Sequence, residues 1–216
     1  MAGWFGSKEK SGSGAAAYQR VSRHSNSWGK ILERMRAEES LRILDIGPTS
    51  SGNINFITSL GHSIYLANLV EDAAKREWIL PEADGAARFD VDRFLATHLD
   101  FSGRGFDIVL FWDTADYLPE ELLAPVLARL YSVMAPGGQL LAMFHPAPGV
   151  SGASTGKTEF HRYHLTDTSA VDVQRAGDYP ITHNYTNRQI EKLLEAFKGY
   201  NFFLSKDNMR EVVVTR

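Results

Sequence analysis

The sequence predicts an α/β fold: a mostly parallel sheet with helices on both faces, closed by a C-terminal antiparallel hairpin. Three observations predict it. The short apolar runs RILDI, SIYLAN, FDIVLFW and QLLAMFH have the near-continuous hydrophobicity of strands buried on both faces. Helical patterns separate them, and strand–helix–strand order with short connections gives right-handed crossovers and a parallel sheet. After residue 185 the chain carries one helical pattern, then two apolar runs around the polar turn Lys206-Asp207-Asn208.

The 216 residues suffice for one domain with a sizeable core. Residues 1–14, rich in Gly, Ser and Lys, read as a flexible tail, and 15–216 as the domain. Residues 15–40 read as a helical cap: Tyr18, Val21, Trp28, Ile31, Leu32 and Met35 are its apolar positions, and Gly29 with the serines divides it into two helices. Arg42–Ile46 is the first strand. A helix over Asn53–Leu60 follows, stopped by Gly61. Ser63–Asn68 is the second strand, Val70–Ile79 a helix or long loop, and Ala87–Val91 a weaker strand. Phe106–Trp112 is the strongest strand. A helix spans Pro119–Met134, divided at Pro125, which removes an N–H and crowds the preceding turn. Pro136-Gly137-Gly138 is a turn before the strand Gln139–His145. Residues 146–184 are polar and break the rhythm, which reads as an insertion over the sheet's carboxyl edge, with an extended piece near 161–165. Thr186 caps the last helix.

Composition narrows the function. Net charge is −3, with eight Lys/Arg against four acids in residues 1–42 and −7 over the remainder. That balance gives no broad surface for nucleic acid. The absence of cysteine excludes disulfides, thiolate zinc sites and thiol nucleophiles, and fits a cytoplasmic setting. No apolar run approaches the ~20 residues of a membrane span.

Ligands of open parallel sheets bind outside the carboxyl ends of the strands. The loop after the first strand, LDIGPTSSGN, stands there. Asp45 closes the strand, and Gly47 permits a sharp turn and a close approach. Thr49 and Ser51 occupy places where nucleotide loops carry further glycines. Asn68, 23 positions after Asp45, is placed for ribose hydroxyls, as an amide where an acid is usual.

In register with this loop, LDFSGRGFDIVLFWDTADYL and LARLYSVMAPGGQLLAMFH follow at the right distances, then the closing helix and hairpin. Together these segments resemble the class I S-adenosylmethionine-dependent methyltransferases, well over residues 40–145 and loosely over 185–216. The resemblance implies a Rossmann-like, seven-stranded, mostly parallel sheet and S-adenosylmethionine as cofactor. It implies that Asp45, Gly47 and Thr49 hold the loop and the methionyl end. Asn68 would meet the ribose, Asp92, Phe94 and Leu95 the adenine, and Trp112 and Asp113 the methionine moiety. Departures from the family pattern are the altered glycines, the amide at 68, and Leu95 where an acid is common. The implied activity is methyl transfer to a small-molecule acceptor, with Asp116, Tyr117 and His145 on the acceptor's rim. Two rivals stand beside it: a methyltransferase-like binding module without turnover, and a nicotinamide-dependent oxidoreductase, which wants a fuller glycine fingerprint.

Three features read as decoys or structure. Residues 151–158 imitate a phosphate loop ending in Gly-Lys-Thr but lack the helix that should follow. His161 and His164, three apart in an extended stretch, point to opposite faces and make no metal pair. Trp112 suits a core as well as a ligand wall.

Overall fold

The computed structural model describes residues 19–81, 87–146 and 157–216. The tail at 1–14 and the phosphate-loop mimic at 151–156 lie outside the described residues.

Eleven strands and six α-helices are formed among these residues: β1 Arg20–His24, α1 Asn26–Ala37, β2 Arg42–Ile46, α2 Ser51–Ser59, β3 Ser63–Ala67, α3 Leu69–Ala73, β4 Ile79–Pro81, β5 Ala87–Phe89, α4 Val91–His98, β6 Phe106–Trp112, α5 Glu120–Val133, β7 Met134–Phe144, β8 Lys157–Leu165, β9 Ala170–Pro180, α6 Asn187–Leu193, β10 Lys198–Leu204 and β11 Arg210–Thr215. The main sheet runs β10-β11-β7-β6-β2-β3. Its four strands β7, β6, β2 and β3 are parallel, and β11 and β10 add antiparallel. The α/β architecture and its closing hairpin are as the sequence predicts.

Alternation along the strands divides the interior in two. Leu44, Ile46, Phe106 and Phe111 face one core with α3 to α6. Ile43, Ile108, Leu110 and Trp112 face the other, with α1, α2 and the sheet β1-β9-β8.

Five expectations need correction. The main sheet has six strands, because the segment at 87–91 pairs with β4 in a separate two-stranded ribbon. The expected helical cap over 15–40 is in part a strand: Arg20–His24 pairs with Gln174–Ala170 of β9. Ser25 then caps α1, its hydroxyl accepting from the Trp28 N–H at 3.1 Å. Gly29 does not break α1. It lets the β8–β9 turn approach, since a Cβ there would stand 2.9 Å from Ser169 Cβ. Helix α5 runs through Pro125, which sits in its second turn. The carbonyl this frees belongs to Glu121, an exposed residue that water can satisfy. The Pro-Gly-Gly turn is absorbed into β7, where Gly137, at φ +77°, donates to Arg216 O at 3.1 Å.

The segment expected over the sheet's carboxyl edge is built, at residues 157–180, as a long hairpin. A bulge between Phe160 and His161 breaks its two-residue period. Phe160 therefore joins one core, while Tyr163, Leu165 and Val171 join the other.

Candidate functional site

The carboxyl ends of β2, β3, β6 and β7 form one rim. At its centre Asp45 is 1% exposed. Its Oδ1 accepts from Trp112 Nε1 at 2.8 Å, and its Oδ2 from Asn53 Nδ2 at 3.4 Å. Burial pushes the Asp45 pKa up, against the pull of these donors. Trp112 pays a backbone strain to reach it, at φ +48°, in a register shift of β6. Gly47, at φ +153°, donates its N–H to Ala67 O at 2.8 Å and carries the β2–β3 ladder one step past the strand end.

Strand β8 lies directly on this loop. Arg162 Nε donates to Pro48 O at 2.9 Å. Asn53 Nδ2 donates to Tyr163 O at 2.9 Å, and its Oδ1 accepts from Leu165 N at 3.0 Å. The His164 ring sits between Ser50 Oγ at 3.1 Å and Gln174 Oε1 at 2.9 Å. The Tyr163 ring stacks on Trp112, centroids 4.7 Å apart and planes 7° from parallel. Between loop and strand remains a cavity of about 10 Å³, lined by Asp45, Gly47, Trp112, Asp113, Phe160 and Tyr163 among others. That is room for a single water.

The residues expected at the adenine end are spread apart in role. Asp92 is exposed in the first turn of α4, and Leu95 is half-buried against the core. Phe94 is fully buried, packed edge-on against Trp78 and Phe89, and offers no surface to a ligand. The expectation for Phe94 is thereby corrected: it lies on the inward face of α4. Asn68 follows β3 and precedes α3, with Nδ2 donating to Glu71 Oε2 at 2.6 Å and Oδ1 buried without a hydrogen-bond partner among the described residues. The Thr49 hydroxyl stands beside the Asp45 carboxylate and helps to hold its charge.

Beyond the loop, the structure brings together Asp113, Asp116, Tyr117 and His145. Asp116 Oδ2 accepts both from the His145 backbone N–H and from its ring Nδ1, each at 2.7 Å. His145 Nε2 faces the Tyr117 hydroxyl at 3.5 Å, and that hydroxyl donates to Glu159 O at 3.1 Å. The carboxylate of the buried Asp113 faces the Tyr163 hydroxyl. Burial pushes Asp113 and Asp116 up. Burial pushes His145 down, but its bond to Asp116 and the charges of both acids outweigh that and Arg210, so its pKa is raised. An Asp-oriented imidazole with an underused Nε2 can hold or move a proton at that atom.

Sequence reasoning missed Asn53, Phe160, Arg162 and Tyr163. The aromatic and apolar spacing at 160, 163 and 165 was a signal, obscured by the bulge.

No protein-family model matches the chain, and no curated protein matches it. Solved structures similar to it over most of its length are S-adenosylmethionine-dependent methyltransferases. A TehB-like one from Corynebacterium glutamicum is 13% identical, with 88% of this chain and 87% of that one covered at a TM-score of 0.48. The magnesium protoporphyrin IX methyltransferase of Synechocystis, with S-adenosylmethionine bound, is 13% identical over 88% and 78%, at 0.46. The 1,6-didemethyltoxoflavin-N1-methyltransferase of Burkholderia thailandensis, with its acceptor and S-adenosylhomocysteine, is 11% identical over 89% and 79%, at 0.45. The likeness is one of backbone.

Proposed function

We propose that this chain is a methyltransferase-like binding module that does not turn over S-adenosylmethionine. One observation carries the reading: β8 fills the place over the Gly47 loop where a cofactor would lie. A ligand of that size needs roughly 300 Å³ or more, and about 10 Å³ is present. The residues expected to hold it are already engaged. Asp45 is bonded to Trp112 and Asn53, and the Asn68 amide to Glu71. The group does not fit this arrangement. Nor is β8 a loose flap, since Phe160, Tyr163 and Leu165 belong to the two cores.

A second reading, methyl transfer to a small molecule, is favoured by Asn68 Oδ1 on the rim, buried without a hydrogen-bond partner among the described residues. A buried group left unpaired costs about 1–3 kcal/mol, and a polar ligand would satisfy it. It requires β8 to leave the loop.

Thermal unfolding with S-adenosylmethionine or S-adenosylhomocysteine, together with labelled methyl transfer to a panel of small acceptors, separates the two. The binding-module reading expects an unchanged Tm and no label transferred. A rise of several degrees at saturating cofactor, with label on any acceptor, would establish the second reading instead.

A further inference from the structure

Beside the filled cleft lies a second, open cavity of about 360 Å³, within the range of small-molecule sites. It opens between β1 and the β10–β11 turn. Val21, Val173 and Met209 give it apolar walls, and His145 and His161 stand on its lining. The Arg23–Asp207 pair lies at its side, shared with a neighbouring groove of about 580 Å³.

The polar groups are sorted by charge. Among the described residues Asp207 is the one acid on the lining, and it accepts from Arg23 Nε at 2.8 Å, from Met209 N at 3.2 Å and from the Ser205 hydroxyl. Asp113 and Asp116 both act on His145, and Asp116 holds its Nδ1. Arg210 reaches the His145 carbonyl from β11, and Tyr163 and His161 come from β8. His145 Nε2 faces the Tyr117 oxygen at 3.5 Å, well beyond the 2.9–3.0 Å of a good hydrogen bond, and because Nδ1 is held by Asp116 it is the protonated ring that presents a donor at Nε2. His145 is also reachable, with 16% of its side chain exposed. In its imidazolium form the cavity's histidine thus offers a donor, backed by carboxylates, to an acceptor approaching across an apolar wall.

We propose that this cavity binds a small organic acid: one carboxylate meeting His145 Nε2, its apolar body against Val21, Val173 and Met209. The proposal builds on the reading of the chain as a binding module and supplies its ligand class.

The test is an NMR titration of the full chain with sodium benzoate, and with benzyl alcohol as the uncharged counterpart. Benzoate is expected to shift the His145 ring signals and the methyls of Val21, Val173 and Met209, and to bind at least about tenfold more tightly than the alcohol, the worth of one charge-assisted hydrogen bond. His145→Phe is expected to abolish that preference. Should this variant fail to fold, the wild-type preference decides alone. Equal binding of both probes, shifts confined to other residues, or none at tens of millimolar would overturn the proposal. S-adenosylhomocysteine added separately keeps the two readings apart: its binding over the Gly47 loop would undo the binding-module reading and leave the benzoate result standing.

Discussion

At the scale of single residues, the polar interior is held by a few fully committed groups. Glu211 is 0% exposed, paired with Arg23 at 2.8 Å and accepting from Ser25 Oγ, Ser27 Oγ and Ser27 N at 2.9–3.0 Å. It pins β1 and the start of α1 to β11. Glu211→Ala leaves Arg23 without its buried counter-charge and is expected to lower stability by about 3–5 kcal/mol in urea unfolding, whereas a surface ion-pair residue such as Glu38 is expected to change it by less than about 1 kcal/mol. The other carboxylate on Arg23 titrates. Burial pushes Asp207 up, but its bond to Arg23 with those to Ser205 and Met209 outweighs burial and holds its pKa at about 2. A carboxyl depressed in the folded state stabilises above its unfolded pKa and loses that contribution as pH falls through the folded one. Stability is therefore expected to drop between about pH 4 and pH 2, and the drop to be shallower in Asp207→Asn, read from urea midpoints across that range.

At the scale of elements, the informative one is β8. Asn53 on α2 fastens it through Tyr163 O and Leu165 N. Asn53→Ala strands both backbone groups and is expected to cost roughly 2–4 kcal/mol. Hydrogen exchange is expected to quicken in β8 and residues 47–53 while β6 and β7 keep their protection; equal loss in all of them would show that β8 is not separately fastened. The regular elements of the sheet were legible because each is a buried run or a helix with a capping residue: FDIVLFW, SIYLAN, and Thr186 with its reciprocal bond to Gln189. Three elements were not. In β1, RVSRH is mostly exposed and declares itself only through β9. In β8 the bulge destroys the alternation. In α5 a proline signal is overridden by Leu122, Leu123, Val126, Leu127 and Leu130, which bury the helix on both sides of Pro125. The placement of Asp45, Gly47 and His145 at the carboxyl edge of the sheet was readable from their strand ends. What occupies the rim was not, because the contact is between segments about 110 residues apart, as in Asn53 with Tyr163 and Leu165.

At the scale of the molecule, one six-stranded sheet separates two cores, and the β8–β9 hairpin contributes to both. Unfolding is expected to be a single transition, with far-ultraviolet circular dichroism and tryptophan fluorescence coincident, since Trp28 and Trp112 lie in one core and Trp78 in the other. Separate midpoints would mean that the hairpin sheet folds independently of the main one. The same architecture makes the central claim sharp: a sheet with the topology of a cofactor-binding fold has its own strand on the binding loop. Isothermal titration of the folded full chain with S-adenosylhomocysteine tests it most directly. The account predicts no saturable heat at any concentration up to the millimolar range; one-to-one binding with a micromolar dissociation constant, displacing Tyr163 from Trp112, would contradict it.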